Sequence, residues 1–469
     1  MITIGETEIN TIANVRAVTG STVTDPVDIF VKHGKIEGIH KAGVLKSKGN
    51  VYDGKGKLAL PGLIDLHFHP GIGSAEVVPK VMASEGKAAL AGGFTYLRGH
   101  LLLGKDAENG YLPIIQNIIR ETQRVSPVDF SFNPQIGTMK QVKEMPDLVR
   151  MGIMGFKIFY DAYQGEEGRN LGLSSDNNIK NVLLKSLEFA GNHPEVRLVI
   201  HAEDGNIPVI AAERNASEKN LLKKFSLSRP PVSEIVKIQE VSRLSQYFDA
   251  KIHLAHVSSE EALKCVLYEK TANENLTFET EPHYLLLDYE NNQSLGIYGK
   301  VIPPLRSPSD RSAMVEAISK RQVDSISTDT NPFTKAVKNM GESVFGDIDK
   351  VSPGFDFIQL VLPLIVTRLV IKGFFTISDL VWAMSENPSQ VFNVENKGMI
   401  YPGKDADVVI IDLKEEMKLE EEDLVDVGGK EWSPFIGENL SGIPEAVFLR
   451  GERSKIGKYD NQKMHGANI

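Results

Sequence analysis

Residues 61–73 read PGLIDLHFHPGIG. The run LIDLHF has the near-continuous apolar character of a strand buried on both faces. It ends in His67-x-His69, and Pro70-Gly71 then stops the strand. Residues two apart on a strand face the same way. Both imidazoles can therefore reach one divalent ion, and imidazole suits zinc and its neighbours.

Working outward, seven further short apolar runs follow: FTYLRGH, VDFSFNPQIG, GFKIFY, VRLVIHAE, KIHLAHVSS, TFETEPHYL and DSISTDTNP. Amphipathic stretches such as VVPKVMASEGKAALAGG and SEIVKIQEVSRLSQYF separate them. Strands alternating with helices imply a parallel sheet, and eight such units predict an α/β fold of the (β/α)₈, or TIM, barrel type. An open doubly wound sheet is the alternative, but no glycine-rich phosphate loop opens a helix. The flanks differ in texture. Residues 1–58 and 398–469 read as short strands and turns, so the expected organisation is a composite β-sandwich domain from both ends, with a barrel domain at 59–397 inserted between them.

The bulk properties narrow the partners. The net charge of −10 speaks against a nucleic-acid surface. The single cysteine, Cys265, permits no intrachain disulfide and fits a reducing, cytoplasmic location. The N-terminus lacks the basic and apolar blocks of a signal peptide. The most apolar segment, 355–375, carries Asp356, Gln359, Pro363, Arg368 and Lys372. It is expected to be a buried helix rather than a membrane span.

Barrel sites form where strands end. His67 and His69 end the first predicted strand, Lys157 lies on the fourth, His201 ends the fifth, His256 the sixth and Asp329 the eighth. Singly, each has a plain reading as a core or turn residue. Together they match a site for two metal ions, His67 and His69 serving one, His201 and His256 a second. An ammonium repels metal, so Lys157 joins such a site only if modified, for instance by CO₂ to a bridging carbamate. Asp329 can ligate metal and accept a proton from water.

With those motifs in view, the chain resembles the cyclic amidohydrolases: dihydroorotase, allantoinase, hydantoinase and dihydropyrimidinase. GKLALPGLIDLHFH, GFKIFY, IHAEDGN, LSRPP, IHLAHVSS, ETEPHYLLLD, PPLRSPSDR, STDTNP, NPSQVFN and PGKDADVVIIDL carry the resemblance along nearly the whole chain. It implies a barrel with a β-sandwich and two divalent ions, zinc being the expected metal. His67 and His69 would hold the more buried ion, carboxylated Lys157 would bridge, and His201 and His256 would hold the second. A bridging hydroxide would attack the ring carbonyl of a small cyclic amide or ureide, with Asp329 as general base and acid. A homodimer or homotetramer is the family tendency. A scaffold that has lost catalysis, and a deacetylase or dipeptidase on the same fold, are the competing readings.

Departures bear on the substrate. Dihydroorotases usually carry an arginine two residues after the second histidine, where this chain has Gly71. Thr330 stands for the usual histidine after the aspartate, Ile302 for an asparagine or serine before the double proline, and Glu281 for a cysteine. Arg98 and His100, ending the second strand, are candidates for a replacement carboxylate clamp. The alternative reading pairs Arg98 with a neighbouring acid. Tyr160 and Tyr163 are candidates for holding the ring carbonyl, or else packed aromatics.

Overall fold

The computed structural model describes residues 9–47, 49–160, 179–335, 338, 351–425 and 431–454. The N-terminal strands are β1 (Thr11–Ala17), β2 (Val27–Lys32), β3 (Lys35–Lys41), β4 (Val51–Asp53) and β5 (Leu58–Pro61). Then come β6 (Leu63–Phe68), β7 (Phe94–Leu101), β8 (Asp129–Pro134), β9 (Gly155–Tyr160), β10 (Arg197–Ala202), β11 (Ile252–Leu254), β12 (Leu276–Thr280) and β13 (Ser325–Ile326). The C-terminal strands are β14 (Val408–Ile411), β15 (Glu416–Lys418), β16 (Asn439–Ser441), β17 (Pro444–Leu449) and β18 (Glu452–Ser454).

β6 to β13 are the eight barrel strands. β6, β7 and β8 pair in parallel, as do β9 to β13. Parallel bridges from Gln135 to Lys157 and from Phe68 to Thr330 join the two arcs into a closed (β/α)₈ barrel. Helices follow the strands, among them Val77–Ala91, Met139–Arg150, Ile179–Gly191, Pro231–Phe248, Glu260–Lys270 and Pro308–Ser319. Their starts are written locally. Thr138 with Gln141, and Ser307 with Asp310, form reciprocal capping boxes. Ser259 accepts from the Ala262 amide.

The two ends of the chain meet in one sheet, ordered β18-β17-β14-β5-β1-β2-β3, with β4 also on β1. The pairing of β1 with β2 shifts register between Ile12 and Val15, and the C-terminal half of β1 turns to β5. Both halves of the sheet feed an apolar cluster of their own, including Ile12, Ile29, Val408 and Phe448. This is the small sandwich. β5 ends at Pro61 and the first barrel strand starts at Leu63, so Gly62 alone separates them.

The apolar segment near 355–375 is a chain of short turns, a 3₁₀ turn at Ile358–Leu360, an α-turn at Val361–Ile365 and a π-turn at Val366–Val370. Val361, Leu362 and Ile365 are fully buried in the main core. No described helix is long and apolar enough to cross a membrane.

At the N-terminal face of the barrel, Lys397 joins barrel to sandwich. Its Nζ lies 2.6 Å from Asp129 at the start of β8, 2.6 Å from Asp407 and 3.3 Å from Asp405. Arg450 pairs with Asp129 from the turn after β17.

Candidate active site and metal centre

Every strand-end residue singled out from the sequence as a metal ligand lies in one cluster at the C-terminal mouth. His67 sits on β6 and His69 just beyond it. Their Nε2 atoms lie 3.3 Å and 2.9 Å from Asp329 Oδ1. Behind them, Lys157 Nζ lies 3.3 Å from His67 Nε2. The rings of His201 and His256 are 4.2 Å apart, and that of His256 is 5.5 Å from His67. All six are buried.

The backbone at the site is held tightly. The Asp329 amide donates to the His67 carbonyl (2.8 Å), and the His69 amide to the Thr330 carbonyl (3.0 Å), so barrel closure itself brings His67, His69 and Asp329 together. Asp329 and His256 have φ of 47° and 42°. Non-glycine residues rarely adopt this left-handed region, and such positions concentrate at functional sites.

The donor set fits divalent cations. Burial, with Lys157 and neighbouring imidazoles adding to it, holds His67 and His256 well below the usual histidine range. Burial also lowers His201, against the pull of Glu203. Neutral imidazole is the form that ligates metal. Burial brings Lys157 down to about 8, although Glu279, Asp329 and Glu281 oppose it. A fraction of its amine is then unprotonated near neutral pH, as reaction with CO₂ requires.

Two carboxylates complete the surroundings. Glu279 Oε1 lies 2.5 Å from His67 Nδ1, and Glu279 Oε2 lies 3.2 Å from His253 Nε2. A carboxylate on the far nitrogen of a ligating histidine sets its tautomer and aims Nε2 at the metal. Glu279 was not singled out in the sequence; its alternation with Glu281 in TFETEPH was the available signal. Glu281 is fully buried, and neither of its carboxylate oxygens accepts a hydrogen bond among the described residues. Burial, with Glu279 and Asp329 nearby, pushes its carboxyl well above the ordinary range.

The substrate-contact candidates are placed less uniformly. Ile302 lines the cavity at the mouth. Tyr163 lies outside the described residues. Tyr160 follows the packed-aromatic reading and not the ring-carbonyl one: its hydroxyl donates to Glu240 (2.9 Å) on the helix Pro231–Phe248, and Lys237 covers its ring. It stands three residues after Lys157, so strand alternation turns it away from the barrel interior. Arg98 is corrected. It is buried beneath the mouth, donating to Asn133 Oδ1 and Tyr96 Oη at 3.0 Å each, with Phe392 4.5 Å from its guanidinium. It neither lines the cavity nor pairs with an acid among the described residues. His100 is buried too, its ring 4.4 Å from that of His67 and its Nδ1 3.2 Å from Asn133 Nδ2. It backs the ligands and does not line the cavity.

Comparison with known proteins agrees with this geometry. Residues 245–453 match the amidohydrolase family. The chain is 29% identical over 432 residues to a dihydroorotase of Elusimicrobium minutum, covering 91% of this chain and 92% of that one. It is 29% identical over 428 residues to a dihydroorotase of Methanothermobacter thermautotrophicus, covering 91% and 90%. In fold it is similar to the L-hydantoinase of Arthrobacter aurescens, with a TM-score of 0.87 at 22% identity over 98% of this chain and 99% of the other. With the closed barrel, the sandwich and the ligand cluster at the strand ends, these matches make the chain similar to the amidohydrolases in sequence and to a hydantoinase in fold.

Proposed function

We propose that this chain is a metal-dependent hydrolase of the C–N bond in a small cyclic amide or ureide, with Asp329 as the proton carrier. The observation that carries this reading is the convergence of two histidine Nε2 atoms on one oxygen of Asp329, with Lys157 directly behind. In this proposal His67 and His69 would hold one ion, His201 and His256 the second, and Lys157, as a CO₂-derived carbamate, would serve both. Zinc is the proposed metal. Divalent ions held there lower the pKa of water and polarise a carbonyl oxygen.

The protein's own groups do the rest. Asp329 takes the proton of the attacking water and passes it to the departing ring nitrogen, so one carboxylate serves as base and then acid. Glu279 keeps His67 in the tautomer that presents Nε2. Run backwards, the same proton path closes the ring. We place the catalytic unit at 59–397 and the sandwich at 1–58 and 398–469, in a cytoplasmic homodimer or homotetramer.

The test is elemental analysis of chelator-free protein, followed by assay on hydantoin, dihydrouracil, allantoin and dihydroorotate. About two ions per chain with turnover of at least one ring supports the proposal. Asp329→Asn should lower kcat by about 10²- to 10⁴-fold. Folded protein that stays metal-free after zinc and bicarbonate overturns it and favours a scaffold.

A further inference from the structure

We infer that the site selects rings whose substituent is uncharged and apolar, and disfavours a ring carboxylate. This rests on the cyclic amide reading above and names the substrate class within it. The cavity at the barrel mouth has a volume of about 270 Å³, and the metal-ligand cluster forms one side. Ile72, Leu102, Phe159, Val301, Ile302 and Phe333 supply most of the remaining wall. Leu102 and Phe159 form an apolar cluster separate from the main core, with Ile72 packed against it. The Phe159 ring lies 5.4 Å from that of His201, so this wall adjoins the reacting centre.

Three places from which a cation could meet a ring carboxylate are closed. Gly71 has φ +99°, and a Cβ there would come within 2.7 Å of Val77 Cγ1. No larger side chain is accommodated without displacing that valine. Arg98 is committed to Asn133 and Tyr96 below the mouth. Ile302 presents hydrocarbon to the cavity. Among the described residues, neither lysine nor arginine lines the wall. A carboxylate pressed against this surface loses its water and meets no cation among the described residues, Asn331 and Ser352 being the polar residues of the wall outside the ligand cluster. A hydrocarbon group of the same shape is favoured by leaving water.

The matched pair that tests this is 5-isobutylhydantoin and 5-carboxymethylhydantoin, nearly equal in shape and different in charge. With metal-loaded enzyme, kcat/KM should favour the isobutyl ring by about 100-fold or more. Calorimetric binding should rank the two in the same order. Leu102→Ala should raise KM for the isobutyl ring by about tenfold and lower its kcat/KM more than that of the carboxymethyl ring. Equal or better turnover of the carboxymethyl ring overturns this inference and leaves the cyclic amide reading intact. Equal loss on both rings in Leu102→Ala overturns the role given to this wall. Failure to open either ring, or dihydrouracil, by protein holding two ions per chain overturns the cyclic amide reading and this inference with it.

Discussion

Lys397 at the N-terminal face of the barrel and Lys157 at the C-terminal face are both buried near carboxylates, yet they are perturbed in opposite directions. Burial works against the charge on Lys397, but Asp407, Asp129 and Asp405 outweigh it and raise its pKa. All three are within ion-pair distance. Lys157 has no ion pair of that kind among the described residues. Its near neighbour is the His67 imidazole, 3.3 Å away, and burial prevails, lowering it to about 8. Contact geometry, more than the number of acids in the vicinity, separates a lysine held charged from one whose charge burial disfavours. A closed network ties barrel to sandwich, whereas an imidazole-lined one leaves an amine able to be modified.

The comparison can be broken first at Lys157. Lys157→Ala should lower hydrolysis by about 10³-fold or more and reduce the metal content per chain. The fold should survive, because a costly buried amine is removed. Elemental analysis and circular dichroism on the same sample read both. Retention of two ions would dismiss the bridging role.

Lys397→Met should act in the other direction, on stability. Three buried carboxylates would lose their shared cation, at a cost of about 3–5 kcal/mol. Denaturant unfolding measures it, and an unchanged midpoint would show that the network is not what couples the two parts.

Glu279→Gln tests the support of His67. Metal affinity should fall by about 10- to 100-fold, as when a carboxylate behind a ligating histidine is neutralised. A chelator competition titration reads this, and unchanged affinity would leave Glu279 with a packing role only.

The smallest effect expected is one of pH. The folded value of Lys157, about 8, lies below its ordinary 10.5. Between those values the unfolded chain holds the extra proton, so the stability of metal-free protein should rise with pH across that window. The neutral amine fraction rises from about a tenth at pH 7 to about nine-tenths at pH 9. At a fixed concentration of dissolved CO₂, the rate of metal loading should climb about tenfold over that range. A flat rate would argue against reaction at a free amine.

Much of this molecule follows from local chemistry. The alternation of strand and helix patterns named the barrel because each strand, buried on both faces, must be apolar throughout. The polar residues that interrupt those runs then stand out at the ends. His67, His69, Lys157, His201, His256 and Asp329 were legible for that reason. Of the two readings open for Tyr160, its contacts match the packed aromatic, and the alternation to choose it was present. Arg98 was misread because its position between Tyr96, Asn133 and Phe392 depends on depth inside the barrel, which a linear pattern does not encode.

The sequence by itself determined the fold class and the chemical types of the candidate ligands, because those depend on periodicity and on side-chain chemistry. The tertiary structure decided which nitrogen of His67 meets Glu279, 212 residues away. It likewise decided that Lys397 and not Lys157 sits in an ion pair among the described residues, and which side chains wall the cavity. Those outcomes are set by distances of a few ångströms between segments far apart in the chain, and only barrel closure fixes them.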